Sequence, residues 1–295
     1  MMKEEAGDIR YSIFDPTGNI TALVESPVEI IRQPEVAAGL MKRHPEVEQV
    51  GFISFDPVPS LRMAGGEFCG NASMCAAARI LMETGASEMK KQEYTRIKLR
   101  VSGADDPVEV DLKKKDRDSF LAGIHMPRAE GIKELDFDYG HMRDKLPVVL
   151  MGGISHIILS PKSPFASLKD DREAAESALR SWGDQLGHPG LGLMFLTPKK
   201  LPPEDSRGSS IYYDLKPLVY IPGSGTMFWE QSCASGSAAV GVYLAAKQGS
   251  IIDLTLQEPG GSLRVTSDPV KGETWLYGQL HHKQSLHQLK LFRVR

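Results

Sequence analysis

The chain has 295 residues, enough for about two domains. Apolar residues make up 41% and charged residues 25%, which excludes a disordered chain, and the net charge of −3 gives no basic stripe for nucleic acid. The longest charge-free stretches, 146–161 and 231–246, hold 16 residues each, short of the roughly 20 that a membrane helix needs. The start, Met1-Met2-Lys3-Glu4-Glu5, is acidic and lacks the apolar run of a secretory signal, so a cytoplasmic protein with reduced thiols is expected.

In chain order, Tyr11–Phe14 reads as a strand, followed by the turn Asp15-Pro16-Thr17-Gly18-Asn19 and a strand at Ile20–Val24. Pro34–Arg43 reads as a helix with proline in its first turn. Val50–Phe55 is a strand, and Met74–Met82 a helix stopping at Gly85. Strands follow at Arg96–Val101, Val108–Leu112 and Phe120–Met126; the Lys113–Lys115 run is a solvated hairpin tip. Past a boundary near Pro127 come strands at Val148–Met151 and Ile154–Leu159, then an amphipathic helix, Lys169–Trp182. Leu191–Leu196, Tyr212–Ile221 and Thr226–Trp229 are strands, and Ala238–Ala246 is a helix stopping at Gly249. Strands at Ile252–Leu256, Leu263–Thr266 and Trp275–Leu280 complete the pattern, leaving Glu134–Lys145 unassigned. Each half reads strands, central helix, strands.

The chain has three cysteines, Cys69, Cys75 and Cys233. Their number and spacing suit neither a disulfide framework nor a zinc site. Cys75 falls inside an apolar helical run and reads as a small buried hydrophobe. Cys69 and Cys233 differ. Each is followed by small turn-forming and capping residues, Gly70-Asn71-Ala72-Ser73 and Ala234-Ser235-Gly236-Ser237, and then by a helix apolar nearly all round. Each therefore sits where a loop meets the N-terminus of a buried helix. Free N–H groups there favour an anion, either a thiolate of lowered pKa or a carboxylate. Ser232 and Ser237 read as helix caps. Two such cysteines, 164 residues apart in the two halves, suggest an internal duplication.

Cys-Gly-Asn-Ala at Cys69 and Ser-Cys-Ala-Ser-Gly at Cys233 resemble the paired cysteine motifs of the diaminopimelate epimerase superfamily. These are amino-acid racemases and epimerases that work without pyridoxal phosphate. Thr17-Gly18-Asn19 and His156 in Met151–His156 fit the same pattern. The resemblance implies an α/β (α+β) fold of two pseudo-symmetric domains, each a barrel-like sheet round a central helix, with an active site in the cleft between them. It implies an N-terminal domain of 1–127 carrying Cys69 and a C-terminal domain of 128–284 carrying Cys233. The last strand, within 285–295, would return to the first domain. It also implies no cofactor, no metal, an amino acid as the only small-molecule partner, no nucleic acid, no membrane and, as is common in such families, a homodimer.

Within the superfamily the nearest likeness is to the histidine racemases of nicotianamine-like metallophore biosynthesis. It rests on Glu48–Phe52, Glu67–Ala72, Tyr220-Ile221-Pro222, Trp229–Cys233 and Pro259–Ser262, with Ala234 where glycine is common. Diaminopimelate epimerases carry a Glu-Arg pair shortly before the second cysteine, and this chain has no arginine between Arg207 and Arg264. A second substrate carboxylate calls for a bidentate guanidinium, so diaminopimelate is demoted but kept beside other amino acids. Proline racemases carry a histidine where this chain has Asn71, and the phenazine-pathway isomerases lack both cysteines.

The implied chemistry is two-base racemisation. One of Cys69 and Cys233 begins as thiolate and takes the α-proton, and the other begins as thiol and returns a proton to the opposite face. Substrate binders would be Asn19, Gly70, Asn71, Glu48, Glu67, His156, Glu230, Ala234 and Ser235. Glu48 and Glu67 would face a cationic or N–H-bearing side chain such as imidazole, or else remain surface carboxylates. Asn19 and Asn71 also suit plain turns, and His156 a satisfied core position. A different class remains open: a silent small-molecule binder, or a redox sensor in which two thiols join.

Overall fold

The computed structural model describes residues 8–84, 93–199, 211–223 and 225–290. The expected helix stop at Gly85, the start Met1–Glu5 and the final four residues of a C-terminal strand at 289–294 lie outside them. The fold is mixed α/β, with extensive sheet and few helices. The chain forms two compact units, Met1–Gly123 with Gln279–Arg295, and Ile124–Gly278.

In the first unit β1 (Asp8–Pro16) pairs antiparallel with β2 (Thr21–Val24), and β2 pairs parallel with β3 (Gln49–Ser54). The helix α1 (Gln33–Arg43), with Pro34 in its first turn, lies between β2 and β3 in the chain. Next, β3 pairs antiparallel with β4 (Ser60–Met63), β4 parallel with β5 (Tyr94–Val101), and β5 antiparallel with β6 (Val108–Lys114). The order continues through β7 (Ser119–His125) to β16 (Glu273–Lys290), whose later residues also pair antiparallel with β1. Between β4 and β5 the chain forms α2 (Gly70–Thr84). This helix is buried from Gly70 through Leu81 and packs on β1 to β6. A helix apolar on every side needs cover on every side, and the strands supply it.

The second unit repeats strand and helix in similar proportion. The hairpin β8 (Gly131–Tyr139) and β9 (Met142–Met151) occupies the stretch that the sequence left unassigned. Then β9 pairs antiparallel with β10 (Ile154–Leu159), and β10 parallel with β11 (Leu191–Pro198) across α3 (Arg172–Leu186). Asp171 caps α3, its carboxylate accepting from Ala174 N, so the helix begins three residues later than its apolar pattern suggested. Trp182 of α3 packs on Phe137 and Phe165 in the core and donates to Asp138 O at 3.0 Å. Onward, β11 pairs antiparallel with β12 (Ile211–Ile221), which also pairs with β13 (Thr226–Trp229). Finally β12 pairs parallel with β14 (Ile252–Glu258), β14 antiparallel with β15 (Gly261–Asp268), and β15 with the first residues of β16. The buried helix here is α4 (Ala234–Gln248), which packs on β9, β10, β11, β14 and β15 and ends at Gly249.

Candidate active site

In the first unit Cys69 is the residue just before α2. The helix starts at Gly70, four residues earlier than the apolar run Met74–Met82 suggested. Ser73 explains the early start: its N–H donates to Cys69 O at 3.0 Å and its hydroxyl to the same oxygen at 2.6 Å. Gly70 and Asn71 thus belong to the first helical turn, both buried. The N–H of Ala72 points at Cys69 Sγ at 3.3 Å, and the thiol donates to Gln49 Oε1 at 2.6 Å. The loop leading to Cys69 is propped by the turn just after β5. Ser102 Oγ donates to Glu67 O at 2.8 Å, and Gly103, at φ +73°, lies with its Cα against the Glu67–Phe68 backbone.

Gln49 opens β3, and both Glu48 N and Gln49 N donate to Ile20 O. The turn before Ile20 is tight: Thr17 has φ 60° and Gly18 φ 91°, and Gly18 N donates to Asp15 Oδ1 at 2.6 Å. The turn directs Asn19 inward, where it is fully buried and donates from Nδ2 to Glu48 Oε2 at 2.9 Å. Its Oδ1 has no hydrogen-bond partner among the described residues. Asn19, Glu48, Gln49 and Cys69 therefore form one connected cluster. Glu67 stands apart, its carboxylate folded over Gly65.

In the second unit Cys233 is itself the N-cap residue of α4, with extended backbone (φ −122°, ψ 97°). Ser237 N donates to Cys233 O at 2.8 Å, and the Gly236 N–H favours charge on the Cys233 sulfur. Again the helix starts directly after the cysteine, so Ala234 and Ser235 lie in its first turn, Ser235 Oγ 3.7 Å from Sγ. The expected cap role of Ser237 is corrected: Cys233 is the N-cap residue, and the Ser237 hydroxyl donates to Glu258 Oε1. Glu258 Oε2 accepts the Cys233 N–H at 2.6 Å.

Glu258 is buried to within 2%, and loss of hydration pushes its pKa up to about 8. The expectation of a lowered pKa at Cys233 is also corrected. Burial raises this thiol well above its ordinary value, and the charges of Glu230 and Glu258 add to the rise. The helix-end amide opposes them and loses, because a partial dipole charge is weaker than two nearby carboxylates plus desolvation.

His156, on β10, is fully buried with neither ring nitrogen hydrogen-bonded among the described residues. Desolvation lowers its pKa to about 3, so it is neutral. The ring packs over Gly192 of β11, beside Met194, whose thioether reaches Gly236 next to Cys233. Cys75, one and a half turns into α2, is fully buried and its thiol is raised well above the ordinary value, first by burial and then by the neighbouring Cys69.

Two polar partners of the cysteines escaped the sequence reading, Gln49 and Glu258. Glu258 had a signal: Ile252, Leu254, Leu256 and Glu258 share the inward phase of one strand, and a carboxylate in that phase must find partners. Gln49 had none beyond its place beside Glu48. Among the described residues no group of three or more His, Cys, Asp or Glu side chains is arranged to hold a metal ion.

The sequence matches the family described as "Histidine racemase CntK N-terminal domain" over residues 8–275. The chain belongs to the histidine racemase family. It is 29% identical over 266 residues to a histidine racemase of Staphylococcus aureus, covering 88% of each chain. With a histidine racemase of Fusobacterium nucleatum subsp. nucleatum it shares 30% identity over 233 residues, 78% of each. Its fold is like that of a probable proline racemase from Agrobacterium radiobacter K84 solved with carbonate bound. The TM-score there is 0.63 at 15% identity, over 96% of this chain and 93% of that one. A hydroxyproline epimerase from Agrobacterium vitis, solved with trans-4-hydroxy-L-proline, gives 0.61 at 13% identity, over 98% and 94%. The family membership makes the protein an isomerase, an amino-acid racemase. No helix among the described residues is long and apolar enough to cross a membrane.

Proposed function

We propose that the protein is a cofactor-independent racemase that interconverts L- and D-histidine with Cys69 and Cys233 as a thiol/thiolate pair. The observation that carries this reading is the same local geometry at both cysteines. Each precedes a buried helix, each carbonyl is bonded by the N–H four residues on, and a backbone N–H three residues on serves each sulfur. The thiolate takes the α-proton, and the thiol of the other cysteine returns one to the opposite face; the roles exchange for the other enantiomer. The helix-end N–H groups of Gly70, Asn71, Ala234 and Ser235 then stabilise the α-carboxylate as negative charge spreads onto it.

For the side chain, Glu48 held by Asn19 supplies a carboxylate to an imidazole N–H, and Asn19 Oδ1, without a partner among the described residues, supplies a second acceptor. Glu67 and Glu230 add negative charge, and neutral His156 completes the wall behind Cys233. The stretch 208–263, without arginine, argues against a second substrate carboxylate. The domain reading goes with this. One domain is built round α2 and the other round α4, as pseudo-symmetric, barrel-like sheets. It is supported by the same succession of antiparallel, parallel, antiparallel, parallel and antiparallel pairings in β1–β6 and in β9–β15. A cytoplasmic location, where thiols stay reduced, and a homodimer belong to the same reading.

The test is proton NMR in deuterated water with reductant, no added cofactor, and L-histidine beside a panel of L-amino acids including diaminopimelate. Loss of the α-proton signal of histidine alone is the expected result. Loss from another amino acid replaces the substrate and keeps the chemistry. No exchange from any of them turns the reading to a silent binder or a thiol sensor.

A further inference from the structure

Glu258 lies 25 residues beyond Cys233, as the last residue of β14, yet it holds the start of α4 by two bonds, from Cys233 N and from Ser237 Oγ. Carboxylates at helix N-termini are common caps, but a cap gains by facing water as well. This one is 2% exposed. It stands at the backbone of the residue whose sulfur must exchange a proton, and its own backbone oxygen is fixed by Gln257 Nε2 at 3.0 Å.

We propose that Glu258 is a positioning residue for Cys233, and that Glu258 carboxylate and Cys233 thiolate exclude one another. The inference rests on the reading of Cys233 as an acid/base group. Two negative charges this close, in a site closed to water, cost far more than one. With Glu258 ionised, both its oxygens accept, from Cys233 N and Ser237 Oγ, and the sulfur keeps its proton. With Glu258 protonated, Oε2 still accepts from Cys233 N while Oε1–H turns to Ser237 Oγ as donor. The thiolate is then opposed only by burial and by Glu230, and is favoured by Gly236 N–H. The charged and titratable groups acting on the pair are Glu230, ahead of α4, and the two partners themselves. Glu258 responds to Cys233 because its ordinary carboxylate range is left far behind: burial moves it up to about 8. The two groups therefore titrate as one coupled unit.

The decisive variant is Glu258→Gln. It keeps the size and an oxygen to accept Cys233 N–H, so a purely structural cap survives, while the charge is gone. Iodoacetamide alkylates thiolate, and peptide mass spectrometry reads Cys233, Cys69 and Cys75 separately across a pH series. In Glu258→Gln the Cys233 midpoint should move down, with the rate above about pH 8, where Glu258 is ionised in the parent protein, rising on the order of tenfold, the equivalent of one pKa unit. The Cys69 midpoint in the same sample should stay where it is. Ser237→Ala leaves Glu258 in place but strips a bond that stabilises its charge, and should move the Cys233 midpoint the same way by less. If Glu258→Gln does not fold, as read by circular dichroism, Ser237→Ala decides. An unmoved Cys233 midpoint in the folded variants overturns the proposal. The racemase reading fails separately, if Cys233→Ala still exchanges the α-proton of histidine.

Discussion

The Cys69 thiol donates to Gln49 Oε1 at 2.6 Å while the Ala72 N–H points at the same sulfur from the start of α2, so one sulfur has a partner for each protonation state. Gln49 favours the thiol, and the amide favours the thiolate. Gln49→Leu removes the thiol's acceptor at similar size. Racemisation should fall about fivefold in kcat, in line with one lost hydrogen bond of about 1 kcal/mol in the aligned state. Cys69 alkylation near neutral pH should speed up. Unchanged kcat and an unchanged alkylation rate together would show that Gln49 is a bystander.

The three thiols should separate cleanly under substitution. Cys69→Ser and Cys233→Ser should each lose at least about a hundredfold of α-proton exchange, since a hydroxyl does not ionise in the range where a thiol does. Cys75→Ala should keep most of it. Its thiol is buried among helix residues, raised well above the ordinary value, and held by Thr21 of β2, a core position. The cost there should be packing, about 1 kcal/mol for a few lost atoms, visible as a small drop in Tm. A Cys75→Ala enzyme as inactive as Cys69→Ser would place the base one and a half turns into α2 instead.

The sequence shows the central helices and most strands because burial leaves a plain trace: runs such as Ala76–Ala78 and alternations such as Ile252, Leu254, Leu256. The hairpin β8–β9 left little trace, because on β8 Phe137 alone is buried and charged residues fill its open positions. The four residues of β4, Ser60-Leu61-Arg62-Met63, carry neither the β-branched nor the aromatic side chains that marked the equally short β2 and β13. The helix starts were misplaced for a different reason. Gly-Asn-Ala-Ser and Ala-Ser-Gly-Ser look like loops by propensity, yet the N–H groups of Ser73 and Ser237 close the first turn on the cysteine carbonyls. The cysteines themselves were legible from their motifs. Their partners, Gln49 and Glu258, lie 20 and 25 residues away along the chain, and only the tertiary fold joins them.

Gly103 is the position where the loop before Cys69 is most easily disturbed. Its φ of +73° disfavours any side chain, and an added Cβ would run into Phe68 N and Glu67 C, which are backbone and cannot swing aside. Ser102 next to it holds Glu67 O and receives Met63 N, so the loop cannot retreat without losing those bonds. Gly103→Ala should therefore destabilise by about 2 kcal/mol or more. It should also lower kcat, since the displaced segment ends at Cys69. Differential scanning calorimetry and the exchange rate read the two effects. Gly140→Ala, also at positive φ but with nothing within 4 Å of the added Cβ, is the control and should lose stability only modestly, with no loss of rate.

His156 and Glu258 should pull the pH dependence of stability in opposite directions. The folded pKa of His156 is depressed to about 3 from 6.5, so between those values the unfolded chain binds the extra proton. Its contribution is fully present above 6.5 and is lost as pH falls toward 3. Glu258 is raised to about 8 from 4.5, so here the folded chain binds the extra proton. Its contribution is fully present below 4.5 and is lost as pH rises through 8. His156→Gln should flatten the acid-side fall of Tm below about pH 6.5, and Glu258→Gln should flatten the fall between about pH 4.5 and 8. Because His156 is already neutral there, His156→Gln should lower kcat/KM without changing the shape of its profile from about pH 6 to 9. A shift of that profile in His156→Gln would mean that the buried imidazole takes up a proton in this range in the free enzyme and is not held neutral.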